Sequence, residues 1–354
     1  MVVVMAPDAT DEDVARVVER VEAVGGEAFV SRGRSRTIIG LVGDISAFHH
    51  LNLRTLPGVA DVHRISDPFK LVSRQHHPER STVVLGDGRV RAAIGPDAAG
   101  PAVGLVVGLG LVEDHHQLGE AARMAAGAGA GALRGGVVRP RTGRTSTPPA
   151  GRDLEALGGV AAAIGLPLIV GVARAEDAAP AAAVAAGLRV GARQAGDEEL
   201  LAAVGEAGRP VLLERPLGAT IEEWLLAAEV VAQRGALQIV LLERGVRSAE
   251  PRTSATVDLA AVPLLQAASH LPVLLDASRA AGRAELVLPI ARAALAIGAD
   301  ALHVEVHPAP EQVVDEAVWP LAGAPLRELA GVVRRVPRVD GPRRSPSAAD
   351  EPTR

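Results

Sequence analysis

A (β/α)8 barrel preceded by a small ferredoxin-like α+β domain is the fold this sequence predicts, and three observations predict it. The first 68 residues carry periodic segments in βαββαβ order. From residue 92 onward, short β-rich runs alternate with Ala-rich helical stretches. Charged residues recur where those runs end, which is where a parallel barrel places its chemistry.

Taken in order, residues 2–6 (VVVMA) read as a strand, and Asp8 to Gly25 as an amphipathic helix. Val14, Val17, Val18, Val21 and Val24 fall at helical spacing, with Thr10 and Asp13 as a capping box. Strand-like runs follow at 27–31 and 36–43, then a weakly helical piece around Ser46–Thr55 and a strand at 58–66. The ferredoxin-like domain is thus expected over 1–68, and 69–91 as a linker and barrel-capping hairpin. Val83–Leu85 and Arg89–Ile94 flank Gly86-Asp87-Gly88, a turn signal between two apolar runs.

The barrel is expected over 92–335, with candidate strands at 92–95, 131–137, 167–172, 187–192, 210–215, 237–244, 272–278 and 301–307. Helical stretches lie between them, among others at 117–128, 153–164, 197–206, 221–234 and 284–297. A doubly wound open sheet is the alternative, but no G-x-G-x-x-G loop follows the first strand. The tail over 336–354 is rich in Pro, Ser and charge and is expected to be disordered.

Composition narrows the chemistry. At 354 residues, 48% hydrophobic and 22% charged, the chain fits one large and one small globular domain. A net charge of -5 leaves no nucleic-acid footprint. No apolar run reaches membrane-span length, and the acidic N-terminus lacks a signal peptide's basic start, so a cytoplasmic location is expected. With no Cys there is no thiolate nucleophile or ligand. Lys70 is the only Lys, so the barrel lacks an amine for Schiff-base catalysis.

The expected strand ends carry Gly95-Pro96-Asp97, Arg134-Gly135-Gly136, Arg193, Glu214-Arg215, Glu243-Arg244, Asp276-Ala277-Ser278-Arg279 and Glu305-Val306-His307-Pro308. Arg139, Arg141 and Arg144 follow the second of these. Several guanidinium forks on one rim suit phosphate and carboxylate groups, which they bind bidentately. The His residues read more plainly. His303 is expected to pack within its strand, His307 has a strand-end claim to a site, and His76-His77 and His115-His116 read as loop or helix-start residues. Ser278 has no visible base partner.

The segments IGPD (94–97), LRGGVVRPRT (133–142), VGAR (190–193), LLERGVR (241–247), DLAAVP (258–263), SHLPVLLDAS (269–278) and VEVHPAPE (304–311) carry a resemblance. With RTIIGLVGD (36–44) and KLVSR (70–74), they resemble successive landmarks of the class I 3-deoxy-D-arabino-heptulosonate-7-phosphate (DAHP) synthase family, in its short form with an N-terminal ferredoxin-like domain. The resemblance spans roughly residues 1–335 and implies the family's reaction. That reaction condenses phosphoenolpyruvate with erythrose 4-phosphate, a shikimate-pathway step assisted by a divalent metal such as Mn²⁺ or Mg²⁺. It also implies a tetramer, and an N-terminal domain that binds an aromatic amino acid or serves assembly.

Position by position, the resemblance implies that Arg193 and Arg244 are phosphate-binding and that Arg134 lies at the substrate mouth. It places the Glu metal ligand at Glu305 and the Asp ligand at Asp315 or Glu316. Elsewhere the chain departs from the pattern. Asp97 stands for the Cys of G-P-C-S, Arg279 for the His of D-P-S-H-S, Arg139 for the Lys of K-P-R-T, and Glu214 for a further Lys. Asp97 could still ligate a hard metal. Arg279 offers no lone pair and is expected to pair with Asp97, Glu214 or Glu305. Two readings follow. One is a family homologue that is non-catalytic or repurposed as a binder of phosphoenolpyruvate or a similar anion, or as a regulatory subunit, with no metal. The other is an active DAHP or related sugar-acid synthase with a rearranged site.

Overall fold

Two compact units, Met1–Pro68 and Phe69–Arg354, make up the chain. The computed structural model describes residues 1–32, 36–43, 47–48, 50–63, 68–87, 90–96, 104–137, 152–250, 253, 255–313 and 318–335. Asp97, Arg139, Arg141, Arg144, Asp315, Glu316 and the 336–354 tail lie outside the described residues.

The first unit is a four-stranded antiparallel sheet with one long helix. Its strands β1 (Val2–Met5), β2 (Glu27–Arg32), β3 (Thr37–Val42) and β4 (Val59–His63) lie in the order β2-β3-β1-β4. Helix α1 (Asp11–Glu22) starts at Thr10, whose hydroxyl accepts from the Asp13 N–H while the Asp13 carboxylate accepts from the Thr10 N–H. Its apolar stripe of Val14, Val17 and Val21 packs on Val3, Met5, Ile39 and Leu41. In the stretch where a second helix is expected, residues 47–48 are helical and a 3₁₀ turn follows at Leu53–Thr55. The other side of the sheet leaves Phe29, Ile38 and Val42 exposed.

The second unit begins with a tethered segment rather than a loose linker. The buried carboxylate of Glu229 accepts from the Leu71 and Val72 N–H groups at 3.1 Å, and Ser269 Oγ donates to the Val72 carbonyl at 2.6 Å. A hairpin follows, β5 (Val83–Asp87) paired with β6 (Val90–Ile94).

Eight parallel strands then close into a barrel: β7 (Leu105–Gly108), β8 (Ala132–Val137), β9 (Leu168–Val172), β10 (Gly187–Val190), β11 (Val211–Glu214), β12 (Ile239–Glu243), β13 (Val273–Asp276) and β14 (Ala301–Glu305). Helices α2 (His115–Gly127), α3 (Leu154–Ile164), α4 (Ala178–Val184), α5 (Glu198–Glu206), α6 (Ile221–Gln233), α7 (Ala261–Ala268), α8 (Ala277–Ala280), α9 (Val287–Ala296) and α10 (Gly323–Arg335) intervene or follow. No helix among the described residues is long and apolar enough to cross a membrane.

One strand expectation is corrected. The run at 92–95 does not open the barrel; 92–94 complete the hairpin, and the first barrel strand is β7, which the sequence reading missed. Both runs are short and apolar because both are buried, and periodicity alone does not distinguish them.

Side chains alternate across each strand, so every barrel strand sends one set outward and one inward. The outward set, such as Val107, Leu133, Val170, Leu188, Leu213, Leu241, Leu275 and Val304, packs against the helices. The inward set is split along the barrel axis. In one half Val106, Ala132, Ile169, Leu212, Val240, Leu242, Leu274 and Ala301 fill the lumen, joined there by Val83, Leu85, Ala92 and Ile94 of the hairpin. The hairpin therefore plugs the barrel's amino-terminal end. Two or more residues further along each strand, the inward positions become Gly or charged.

Candidate functional site

Counting on by two from the apolar inward residues locates the site. Val106 leads to Gly108, Ala132 to Arg134, Ile169 to Gly171, Leu212 to Glu214, Leu242 to Arg244, Leu274 to Asp276, and Ala301 to His303 and then Glu305. In β10, Arg189 holds the corresponding place. The carboxyl ends of the strands open on a cavity of about 370 Å³ lined by Gly110, Arg134, Arg152, Arg189, Arg193, Glu214, Arg244, Arg279 and Glu305, among others.

Small residues make room for these long side chains. A Cβ at Gly108 would collide with the Glu305 carboxylate, and one at Gly171 would fall 2.9 Å from an Arg189 nitrogen. The barrel accommodates two buried arginines because its neighbouring inward positions carry no side chain.

The deeper charges form a connected network. Arg134 donates from Nη2 to Glu305 Oε1 and from Nε to His303 Nε2, the latter at 2.9 Å. Accepting there leaves the His303 proton on Nδ1, which lies 2.9 Å from Asp276 Oδ2. Arg279 places Nε 3.6 Å from Asp276 Oδ2 and Nη2 3.7 Å from Glu305 Oε1. The Asp276 carboxylate also caps α8 by accepting the Arg279 N–H at 3.0 Å. On the other side, Arg189 Nε donates to Glu214 Oε1 at 2.6 Å, the Ala192 N–H donates to Glu214 Oε2 at 3.0 Å, and Arg244 Nη1 lies 3.5 Å from the same oxygen.

Each titration follows from its surroundings. Burial would raise the Asp276 pKa, but His303, Arg279 and Arg134 outweigh it and hold the carboxyl well below its ordinary range. Burial likewise opposes Glu214, yet Arg189 and Arg244 bring it down to about 2. Burial lowers the His303 pKa, in keeping with a neutral ring whose Nε2 accepts from Arg134. Arg279 is pushed down by burial and by neighbouring guanidiniums, and stays charged because an Arg starts from 12.5.

The inner groups therefore balance: Arg134, Arg189 and Arg279 against Glu214, Asp276 and Glu305, around a neutral His303. Nearer the opening lie Arg193, Arg244 and Arg152. Arg244 shares Glu214, and no carboxylate among the described residues is in ion-pair reach of Arg193 or Arg152. The cavity as a whole has an excess of positive charge that an anionic ligand would neutralise.

Sequence expectations meet this geometry unevenly. Arg134, Arg193, Glu214, Arg244, Arg279 and Glu305 all line the one cavity. The expected pairing of Arg279 falls on Glu305, with Asp276 as a second partner. The reading of Asp97 as a barrel strand end is corrected, since Gly95 and Pro96 follow the hairpin strand β6. The residue beyond β7 that faces the cavity is Gly110. Arg189 and Arg152 were missed. Arg189 sits inside a strand, where a charge ordinarily signals a solvated face, and only its inward parity reveals it.

Other polar candidates have structural roles. Arg215 and Glu243 have outward parity; Arg215 Nη1 donates to Glu243 Oε2 at 2.9 Å and to Asp258 Oδ2 at 2.8 Å, beside the Trp224 ring. Ser278 Oγ accepts the Glu305 N–H at 2.9 Å. His307 is buried against Ala309, His77 stacks on His270 at 4.4 Å, and His115-His116 open α2. Lys70 is exposed.

The described side chains do not fit a divalent metal. No group of three or more His, Asp or Glu among them is arranged to hold one. Gly110 has no side-chain donor, Arg279 offers no lone pair, and Glu305 Oε1 is engaged by Arg134; the carboxylate oxygens left without a hydrogen-bond partner, Glu305 Oε2 and Asp276 Oδ2, both have the Arg279 guanidinium beside their carboxylates.

Comparison with known proteins points one way. Residues 89–325 match the DAHP synthetase I family, and residues 1–67 match the DAHP synthase ferredoxin-like domain. The chain is 36% identical over 337 residues to the phospho-2-dehydro-3-deoxyheptonate aldolase of Thermotoga maritima, covering 95% of this chain and 97% of that one. It is 30% identical over 198 residues to a 2-dehydro-3-deoxyphosphooctonate aldolase of Nitratidesulfovibrio vulgaris, covering 51% of this chain and 71% of that one. The crystal structure of the Thermotoga maritima DAHP synthase superposes with a TM-score of 0.76 over 94% of this chain and 96% of that chain.

Proposed function

The chain belongs to the DAHP synthetase I family, with that family's ferredoxin-like domain in front, and from this premise we propose that its barrel mouth binds phosphoenolpyruvate or a similar phosphorylated small anion. In this reading the chain is non-catalytic for the family's condensation, or repurposed as an anion binder or regulatory subunit. The observation that carries it is the convergence of Arg193, Arg244 and Arg152 on one cavity whose deeper charges already cancel. Guanidinium forks grip phosphate and carboxylate bidentately, and a phosphorylated carboxylic acid supplies both. The loss of activity is argued from the donor set. Arg279 and Gly110 bring no side-chain lone pair to the cavity, and Glu214 places a negative charge where the family has a Lys.

A second reading keeps the activity, as a DAHP or related sugar-acid synthase with a rearranged site. The retained Arg193, Arg244 and Glu305, together with 36% identity to a DAHP aldolase, favour it. One assay separates the two. Purified protein is given phosphoenolpyruvate and erythrose 4-phosphate with Mn²⁺, Mg²⁺ or EDTA, and phosphate release is measured. The first reading expects no turnover in any arm and a calorimetric binding signal with phosphoenolpyruvate. Metal-stimulated turnover lost in Glu305→Ala would establish the second.

A further inference from the structure

We propose that the Arg279 guanidinium is a built-in cation standing in the place of a divalent metal, so that the barrel mouth excludes metal ions and meets its anionic ligand with protein charge alone. This rests on the functional reading above for its ligand, and on geometry for the cation.

Arg279 follows β13 at the start of α8, and the Asp276 carboxylate fixes its backbone by accepting its N–H. From that anchor the guanidinium reaches between two buried carboxylates, 3.6 Å from Asp276 and 3.7 Å from Glu305. Neither distance is a hydrogen bond, and Arg279 Nε and Glu305 Oε2 are both buried without a hydrogen-bond partner among the described residues. A cation held by charge between two carboxylates, with donors still free, occupies the electrostatic position of a metal ion while keeping the capacity to bind an anion on its open side. Its side chain is 17% exposed and lines the cavity, so that side is accessible.

The opposite wall agrees. A Cβ at Gly110 would sit 3.0 Å from the Gly136 Cα and 3.5 Å from an Arg134 nitrogen, so the space for a ligating side chain beyond β7 is already narrow. Arg134 is committed to Glu305 and His303, which ties down the carboxylate that would otherwise face a metal. A divalent ion approaching the Asp276 and Glu305 carboxylates would meet the Arg279 guanidinium already beside both of them and be repelled.

The test titrates Mn²⁺ alone into the full chain and follows the free ion by electron paramagnetic resonance. Wild type is expected to retain none. Arg279→Ala, and Arg279→Gln as a second variant should the first fold poorly, are expected to retain Mn²⁺ where wild type retains none, because removing the cation leaves Asp276 and Glu305 underneutralised. Wild type binding one Mn²⁺ with an affinity that Glu305→Gln abolishes would overturn the proposal. So would an absence of Mn²⁺ binding in folded Arg279 variants, since Arg279 would then not be what excludes the ion. Phosphoenolpyruvate calorimetry in EDTA runs beside it. An absence of heat there removes the ligand reading while leaving the Mn²⁺ result to decide on the cation.

Discussion

Arg189 and Glu214, on adjacent barrel strands, meet in a buried ion pair with Nε 2.6 Å from Oε1. The charge reversal at position 214, which by itself would repel an anion, is neutralised within the lumen. Because both groups are out of water, removing one strands the other. Arg189→Met is expected to lower unfolding free energy by roughly 3–5 kcal/mol. Adding Glu214→Gln should recover part of that loss, as read from urea midpoints of the single and double variants.

The same pair sets a pH signature. Glu214 is held at about 2 against an ordinary 4.5, so its contribution is fully present above pH 4.5 and fades as pH falls towards 2. The stability gap between wild type and Glu214→Gln should stay level from neutral pH down to the ordinary Glu range and narrow below it. A gap that widened on acidification would contradict the direction of the shift.

Arg193→Ala removes a guanidinium from the cavity without touching the inner network, and Arg244→Ala removes one that also shares the Glu214 carboxylate. Each is expected to weaken phosphoenolpyruvate binding by roughly 1.5–3 kcal/mol, the usual range for a hydrogen bond to a charged group. Melting temperatures should move little for Arg193→Ala, whose side chain is exposed. Calorimetry with thermal melts checks both.

At Gly108 the added methyl of an Ala would press on the Glu305 carboxylate and lie 2.9 Å from His303 Nε2. Overpacking of this kind costs roughly 1–3 kcal/mol. Gly108→Ala should therefore lower the melting temperature, and the displaced Glu305 should also disturb ligand binding. Gly127→Ala, where a Cβ meets nothing within 4 Å, serves as the control.

The hairpin offers a test at the far end of the barrel. Leu85 is fully buried among lumen residues, so Leu85→Ala should cost roughly 2–5 kcal/mol in unfolding. The anion cavity lies at the other end, and the affinity of the folded variant for phosphoenolpyruvate should be unchanged.

Much of this was legible in the sequence because period-two and period-3.6 patterns report burial directly. The strands from β8 to β14 fall within their expected runs, and Thr10 with Asp13 forms the expected cap. The first barrel strand was not legible in the same way. A hairpin strand that plugs a barrel and a strand that forms it both bury one apolar run, and only pairing partners tell β6 from β7. That single shift moved the expected site residue from Gly110 to Asp97. Arg189 was hidden for a different reason. Its meaning depends on which way the strand faces and on Glu214, 25 residues later, a relation between elements that no local pattern carries.

The division of the lumen into an aliphatic half and an ionic half has a kinetic consequence. Hydrocarbon packed beneath the arginines polarises little, so their field lines are directed outward through the wetter mouth. A phosphorylated anion approaching from solution would be drawn in before it touches any side chain. Its association rate should fall as salt is raised, while its escape, governed by close contacts, should respond much less.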